Sequence, residues 1–108
     1  MYLGMVFLVT TKYDINIPND FLKSDINRLT NQLWKLIPMK ENNENWLEQL
    51  NSVIVEIFGL SEIFLKNEKF LILLSKLEGL KKEDISFSIY RKTVFESISL
   101  LREILNAI

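Results

Sequence analysis

The chain has 108 residues, 48% of them hydrophobic and 25% charged, with a formal net charge of −1. This length fits a single domain with a modest core, and the near-neutral balance lacks the basic footprint of a dedicated nucleic-acid binder. The absence of Cys and His excludes disulfides, thiolate metal sites and serine–histidine–carboxylate triads, and it removes the commonest metal ligand and general base.

Tyr2 to Thr11 (YLGMVFLVTT) is apolar, turns β-branched toward its end and reads as a strand. Tyr13, Ile15 and Ile17 alternate with polar residues and predict a second extended piece. Thr10, Thr11 and Lys12 lack the Asn-Gly chemistry of a tight hairpin. The residues therefore leave open a hairpin, a single strand and an arm exchanged with another chain. Met1 to Val9 is apolar but short, with no basic flank and no small-residue cleavage site, so no targeting peptide is expected. No apolar run approaches the ~20 residues of a membrane-spanning helix. A cytoplasmic protein without membrane contact is the expectation.

Pro18 closes the extended part, and Asn19 or Asp20 can cap a helix. Leu22, Ile26, Leu29, Leu33 and Leu36 follow at spacings of 4, 3, 4 and 3, a seam for packing on another helix. Trp34 and Ile37 flank that seam, and Pro38 predicts a stop near Ile37. Met39 to Asn45 (MKENNEN) is a short polar linker that favours an antiparallel helix pair. Asn42 or Asn43 is the expected cap of the next helix, with Glu44 in its first turn.

Asn45 to Leu65 carries the longest helical pattern. Trp46, Leu50, Val53, Ile57, Leu60 and Phe64 are spaced 4, 3, 4, 3 and 4, and Leu47, Ile54 and Phe58 widen the stripe. A stripe this wide predicts a central helix in contact with at least two others. The opposite face is polar, through Glu48, Gln49, Asn51, Ser52, Glu56 and Glu62, but Val55 interrupts it between Ser52 and Gly59. That strip is a candidate second contact line. Gly59 costs about 1 kcal/mol against Ala in a helix interior and is a candidate kink or early end.

Lys66-Asn67-Glu68 is a polar break, with Asn67 the expected cap of a short helix carrying Phe70, Leu71, Leu73, Leu74 and Leu77. Gly79 is the expected left-handed residue after that helix, followed by hydrophobic Leu80. Ile85, Phe87 and Ile89 alternate like a strand, yet Asp84 can cap a helix. Val94, Ile98, Leu101, Leu105 and Ile108 repeat the seam, flanked by Leu100 and Ile104. A helix from about Phe87 to Asn106 is predicted, with Ile85–Ile89 open between its first turn and a short strand.

The expected fold is mainly α: one domain over residues 1–108, with an extended arm or strand pair over 1–18 and a compact four-helix bundle over 19–108. Without His or Cys, enzymatic chemistry would need carboxylates, as in helical bundles that hold Mg²⁺. Glu41-Asn-Asn-Glu44 has a suitable Glu-x-x-Glu spacing but lies in the linker, and no Glu-x-x-Asp follows it. No cofactor, metal or catalytic residue is assigned, and the Mg²⁺ enzyme ranks last. The favoured reading is a non-catalytic protein-interaction module that self-associates and serves as an adaptor, assembly subunit or inhibitor. Its candidate interface residues are Trp34, Trp46, Ser52, Val55 and Gly59. The alternative is a nucleic-acid accessory protein using Lys81, Lys82, Arg91 and Lys92, the basic doublets around the start of the last helix. Lys outnumbers Arg, and Asn and Ile are frequent, which suggests AT-rich coding in a low-GC bacterium or its phage.

Overall fold

A computed structural model of the protein describes residues 8–10, 16–63, 68–82 and 84–107. Leu8–Thr10 (β1) pairs antiparallel with Asn16–Pro18 (β2), Leu8 opposite Pro18 and Thr10 opposite Asn16. Four helices follow: Asn19–Glu41 (α1), Trp46–Ile63 (α2), Glu68–Gly79 (α3) and Phe87–Ala107 (α4). Several expected features lie outside the described residues: the strand over Tyr2–Phe7, Tyr13 and Ile15 of the second extended piece, Phe64 of the α2 seam, the Asn67 cap and Ile108.

Cross-helix contacts set the directions. Arg28 and Gln32 of α1 reach Glu56 and Gln49 of α2, so the two helices run antiparallel. Trp34 and Lys40 of α1 meet Phe95 and Tyr90 of α4, again in opposite order. Lys69 and Lys76 of α3 reach Glu103 and Glu96 of α4. Consecutive helices pack on one another, and α1 closes the ring against α4. The result is an up-down-up-down bundle with α1 diagonal to α3. The seams read from the sequence fill one core. Leu22, Ile26, Leu29, Leu33 and Leu36 of α1 are buried with Leu50, Val53, Ile57 and Leu60 of α2. Phe70, Leu73, Leu77 and Leu80 join them, as do Tyr90, Val94, Ile98 and Leu101 of α4.

Four helix ends differ from expectation. Pro38 lies inside α1, which continues to Glu41. Proline removes one donor, but its own carbonyl still accepts the Asn42 N–H at 2.9 Å. The next carbonyls are closed by a Schellman motif: the Glu44 N–H donates to Met39 O (2.8 Å) and the Asn43 N–H to Lys40 O (3.2 Å). Asn43 is therefore the left-handed residue ending α1, with φ 54°, and not a cap of α2. Asn45 precedes α2 and donates its side-chain amide to Glu48, so Glu48, not Glu44, is the acid of the first turn.

Gly79 is the last residue of α3 and does not take a positive φ. That helix ends by tightening instead, through Leu80 N–H to Leu77 O (3.0 Å) and Lys81 N–H to Glu78 O (3.2 Å). The buried Leu80 fastens the end to the core. At α4 the cap is Ser86 and not Asp84, because Ser86 Oγ accepts the Ile89 N–H at 3.3 Å. Phe87–Ile89 is thus the first turn of α4.

Gly59 does not end α2, which continues to Ile63. The buried hydroxyls of Thr30, Ser61 and Ser97 donate back to the Ile26, Phe58 and Thr93 carbonyls of their own helices, which is how polar groups are tolerated in this core.

Candidate interaction surfaces

The stripe on α2 is narrower than its sequence suggests. Ile54 is buried, but Leu47 and Phe58 are exposed, Phe58 by 53%. Helical phase explains the split. Glu56 and Gln49 turn toward α1, so α3 lies on the other side, where Ile54 is covered while Phe58 falls at the outer edge of the contact. Val55 is the most exposed large hydrophobic residue of α2, at 69%, and Ser52 and Gly59 beside it are open as well. On α3, Leu71 shows 48% of its surface on the flank nearest α2. The outer face of the α2–α3 pair therefore presents Val55, Phe58 and Leu71 to solvent.

The two tryptophans do not pair with each other; each takes an aromatic partner from α4. Trp34, 36% exposed, meets Phe95 edge to face at 5.1 Å, and the Arg91 guanidinium lies 4.7 Å above the Phe95 ring. This makes a layered aromatic and cationic ridge on the α1–α4 face. Trp46 is buried at the end of the bundle, edge to face with Tyr90 at 5.6 Å. Lys40, from the extra turn of α1 beyond Pro38, places its ammonium 3.8 Å above the Trp46 ring. Trp46 is a core residue, and of the pair only Trp34 can contact a partner. The Tyr90 hydroxyl is buried without a hydrogen-bond partner among the described residues, and burial pushes its phenol well above the usual tyrosine range.

The basic candidates are dispersed. Lys81 pairs with Glu78 at 3.0 Å in the α3–α4 connection, and Lys82 beside it is exposed. Arg91 turns toward α1, while Lys92, one residue on and so about 100° around the helix, points outward.

Carboxylates are dispersed too. Among the described residues no three converge where a metal ion could sit, and Glu56 is held by Arg28 at 2.8 Å together with Asp25. Those bonds, Glu56 first, hold the Arg28 guanidinium even more firmly protonated than usual. Arg28 also borders a depression of about 400 Å³ with Phe21, Leu22, Leu60 and Ile63. It opens to solvent, and Arg28 at its rim is already paired.

No known protein family, curated protein or solved structure gives a significant match to the chain. Among the described residues no helix is long and apolar enough to cross a membrane.

Proposed function

We propose that this protein is a non-catalytic protein-interaction module that self-associates in the cytoplasm, acting as an adaptor, assembly subunit or inhibitor. The observation that carries this reading is the exposure of Val55, Phe58 and Leu71 on the outer face of α2–α3, beside a core already filled by other residues. Large apolar side chains gathered on one face of a small bundle mark a contact surface more often than singly scattered ones do. Light scattering across the micromolar range tests it. A mass that rises with concentration supports self-association; a strict monomer throughout overturns it.

A nucleic-acid accessory role is the second reading. It is favoured by the exposed Lys82, Arg91 and Lys92 and by the half-open Trp34 ring near Arg91. It ranks lower because Lys81 is already neutralised by Glu78. Retention on immobilised single-stranded DNA or RNA that falls with added salt would support it, and no binding at low salt would remove it.

A further inference from the structure

The two outer faces of the bundle differ in charge, and ion pairs inside the fold create the difference. On α4, Glu96 and Glu103 are turned toward α3 by Lys76 and Lys69. The opposite flank of α4 holds Arg91, Phe95 and Arg102, with Phe95 against Trp34. On α1, Asp25 is drawn to Arg28, which itself turns to Glu56 on α2. Lys23 and Asn27 fall on the Trp34 flank by helical spacing, and Asp20 and Glu41 stand at the two ends of the helix. The α1–α4 face thus presents Lys23, Arg91 and Arg102 around the Trp34–Phe95 pair, with no carboxylate along its middle. None of these three cations has an ion-pair partner among the described residues.

The α2–α3 face is the converse. Lys69 and Lys76 are turned away to α4, and Arg28 sits on the far side of α2. The exposed large apolar residues there are Val55, Phe58 and Leu71, with Glu48 and the Lys81-paired Glu78 toward one end and Glu68 toward the other. One face is aromatic and cationic, the other aliphatic, aromatic and anionic, and they lie on opposite sides of the helix ring.

Building on the self-association reading above, we infer that the association is heterologous: the α1–α4 face of one copy seats on the α2–α3 face of the next. A two-fold pairing of either face with itself would set Arg91 and Arg102 against other cations, or Glu48 and Glu68 against other carboxylates. Only the unlike pairing matches charge as well as apolar surface. Because the two faces point in opposite directions, each copy keeps one face free, and the assembly grows instead of closing as a dimer.

Sedimentation velocity on the full chain tests this with two blocked variants at exposed positions. Arg91→Glu/Arg102→Glu disables the α1–α4 face, and Val55→Arg/Phe58→Arg disables the α2–α3 face. Circular dichroism verifies that each keeps the wild-type helix content. The wild type is expected to form species of increasing mass with concentration, and each variant alone a monomer. An equimolar mixture of the two variants is expected to form a species of twice the monomer mass and nothing larger, since one intact face of each kind remains. A mixture that stays monomeric, or a wild type that stops at a closed dimer, overturns the heterologous arrangement and leaves self-association standing. A monomeric wild type removes both. Without any variant, added salt must lower the wild-type mass; a mass that holds or rises with salt also overturns the inference.

Discussion

Trp46 and Tyr90 meet edge to face at one end of the bundle, with ring centroids 5.6 Å apart and planes at 80°. The contact joins the first residue of α2 to the first turn of α4. Lys40 covers the same Trp46 ring from α1 at 3.8 Å, so three helices are tied together around one indole. Trp46→Ala should lower the unfolding free energy by about 3–5 kcal/mol, as for other buried aromatics. Lys40→Met keeps the aliphatic stem and removes the cation, and should cost about 0.5–1 kcal/mol. Urea titrations followed by circular dichroism measure both, and a loss for Trp46→Ala below that for Lys40→Met would contradict this account.

Tyr90→Phe should stabilise the fold by about 1 kcal/mol, because it removes a buried hydroxyl that has no partner among the described residues. The same group makes stability depend on pH. Its folded-state ionisation lies above that of the unfolded chain, because burial disfavours the phenolate. The stabilisation is therefore complete below an unfolded tyrosine value of about 10 and declines as pH rises beyond it. The wild type should lose stability more steeply than Tyr90→Phe as pH rises above about 10. Denaturation midpoints at stepped pH show this, and parallel curves for the two proteins would refute it.

Gly59→Ala should raise stability by about 1 kcal/mol. Gly59 is helical, and a Cβ built there meets nothing within 4 Å. A lower thermal midpoint for the alanine variant would show that this surface of α2 is covered in solution.

Asn43 takes the left-handed conformation that lets α1 end in a Schellman motif. Asn43→Ala should cost about 1 kcal/mol through backbone strain, and Asn43→Gly should be neutral or slightly stabilising. Equal stability for the two variants would mean that the turn adopts another conformation in solution.

Much of the bundle was legible in the chain. The 4, 3 spacing of Leu22–Leu36, of Trp46–Leu60 and of Val94–Leu101 named the buried positions, because a helix of 3.6 residues per turn gathers them on one side. The sequence put the start of α4 near Phe87 but left Ile85–Ile89 open between a first turn and a strand, which the structure resolves as helix from Phe87. The helix ends were less legible. The stop expected at Pro38 is outweighed by the hydrogen bonds of the following turn, which also brings Met39 against the core and Lys40 over Trp46. The hydrogen bonds are local, but where Met39 and Lys40 come to rest depends on how the other helices pack, which leaves no mark near the proline.

Of the candidate interface residues, Val55, Ser52 and Gly59 were placed on an outer strip by periodicity alone, and that strip is open to solvent. Phe58, read as part of the buried stripe, is instead half exposed. Periodicity assigns residues to a common side of a helix, but which flank of that side is covered depends on where the neighbouring helices stand. By itself the sequence determined four amphipathic helices, the core they share, and the lack of Cys and His chemistry, because these follow from residue type and spacing. Only the tertiary structure decided that Trp34 joins Phe95 while Trp46 joins Tyr90, and that the ion pairs of Arg28, Lys69 and Lys76 leave one face cationic and the other anionic. Those outcomes depend on the rotation of each helix about its axis, which is set by packing against its neighbours.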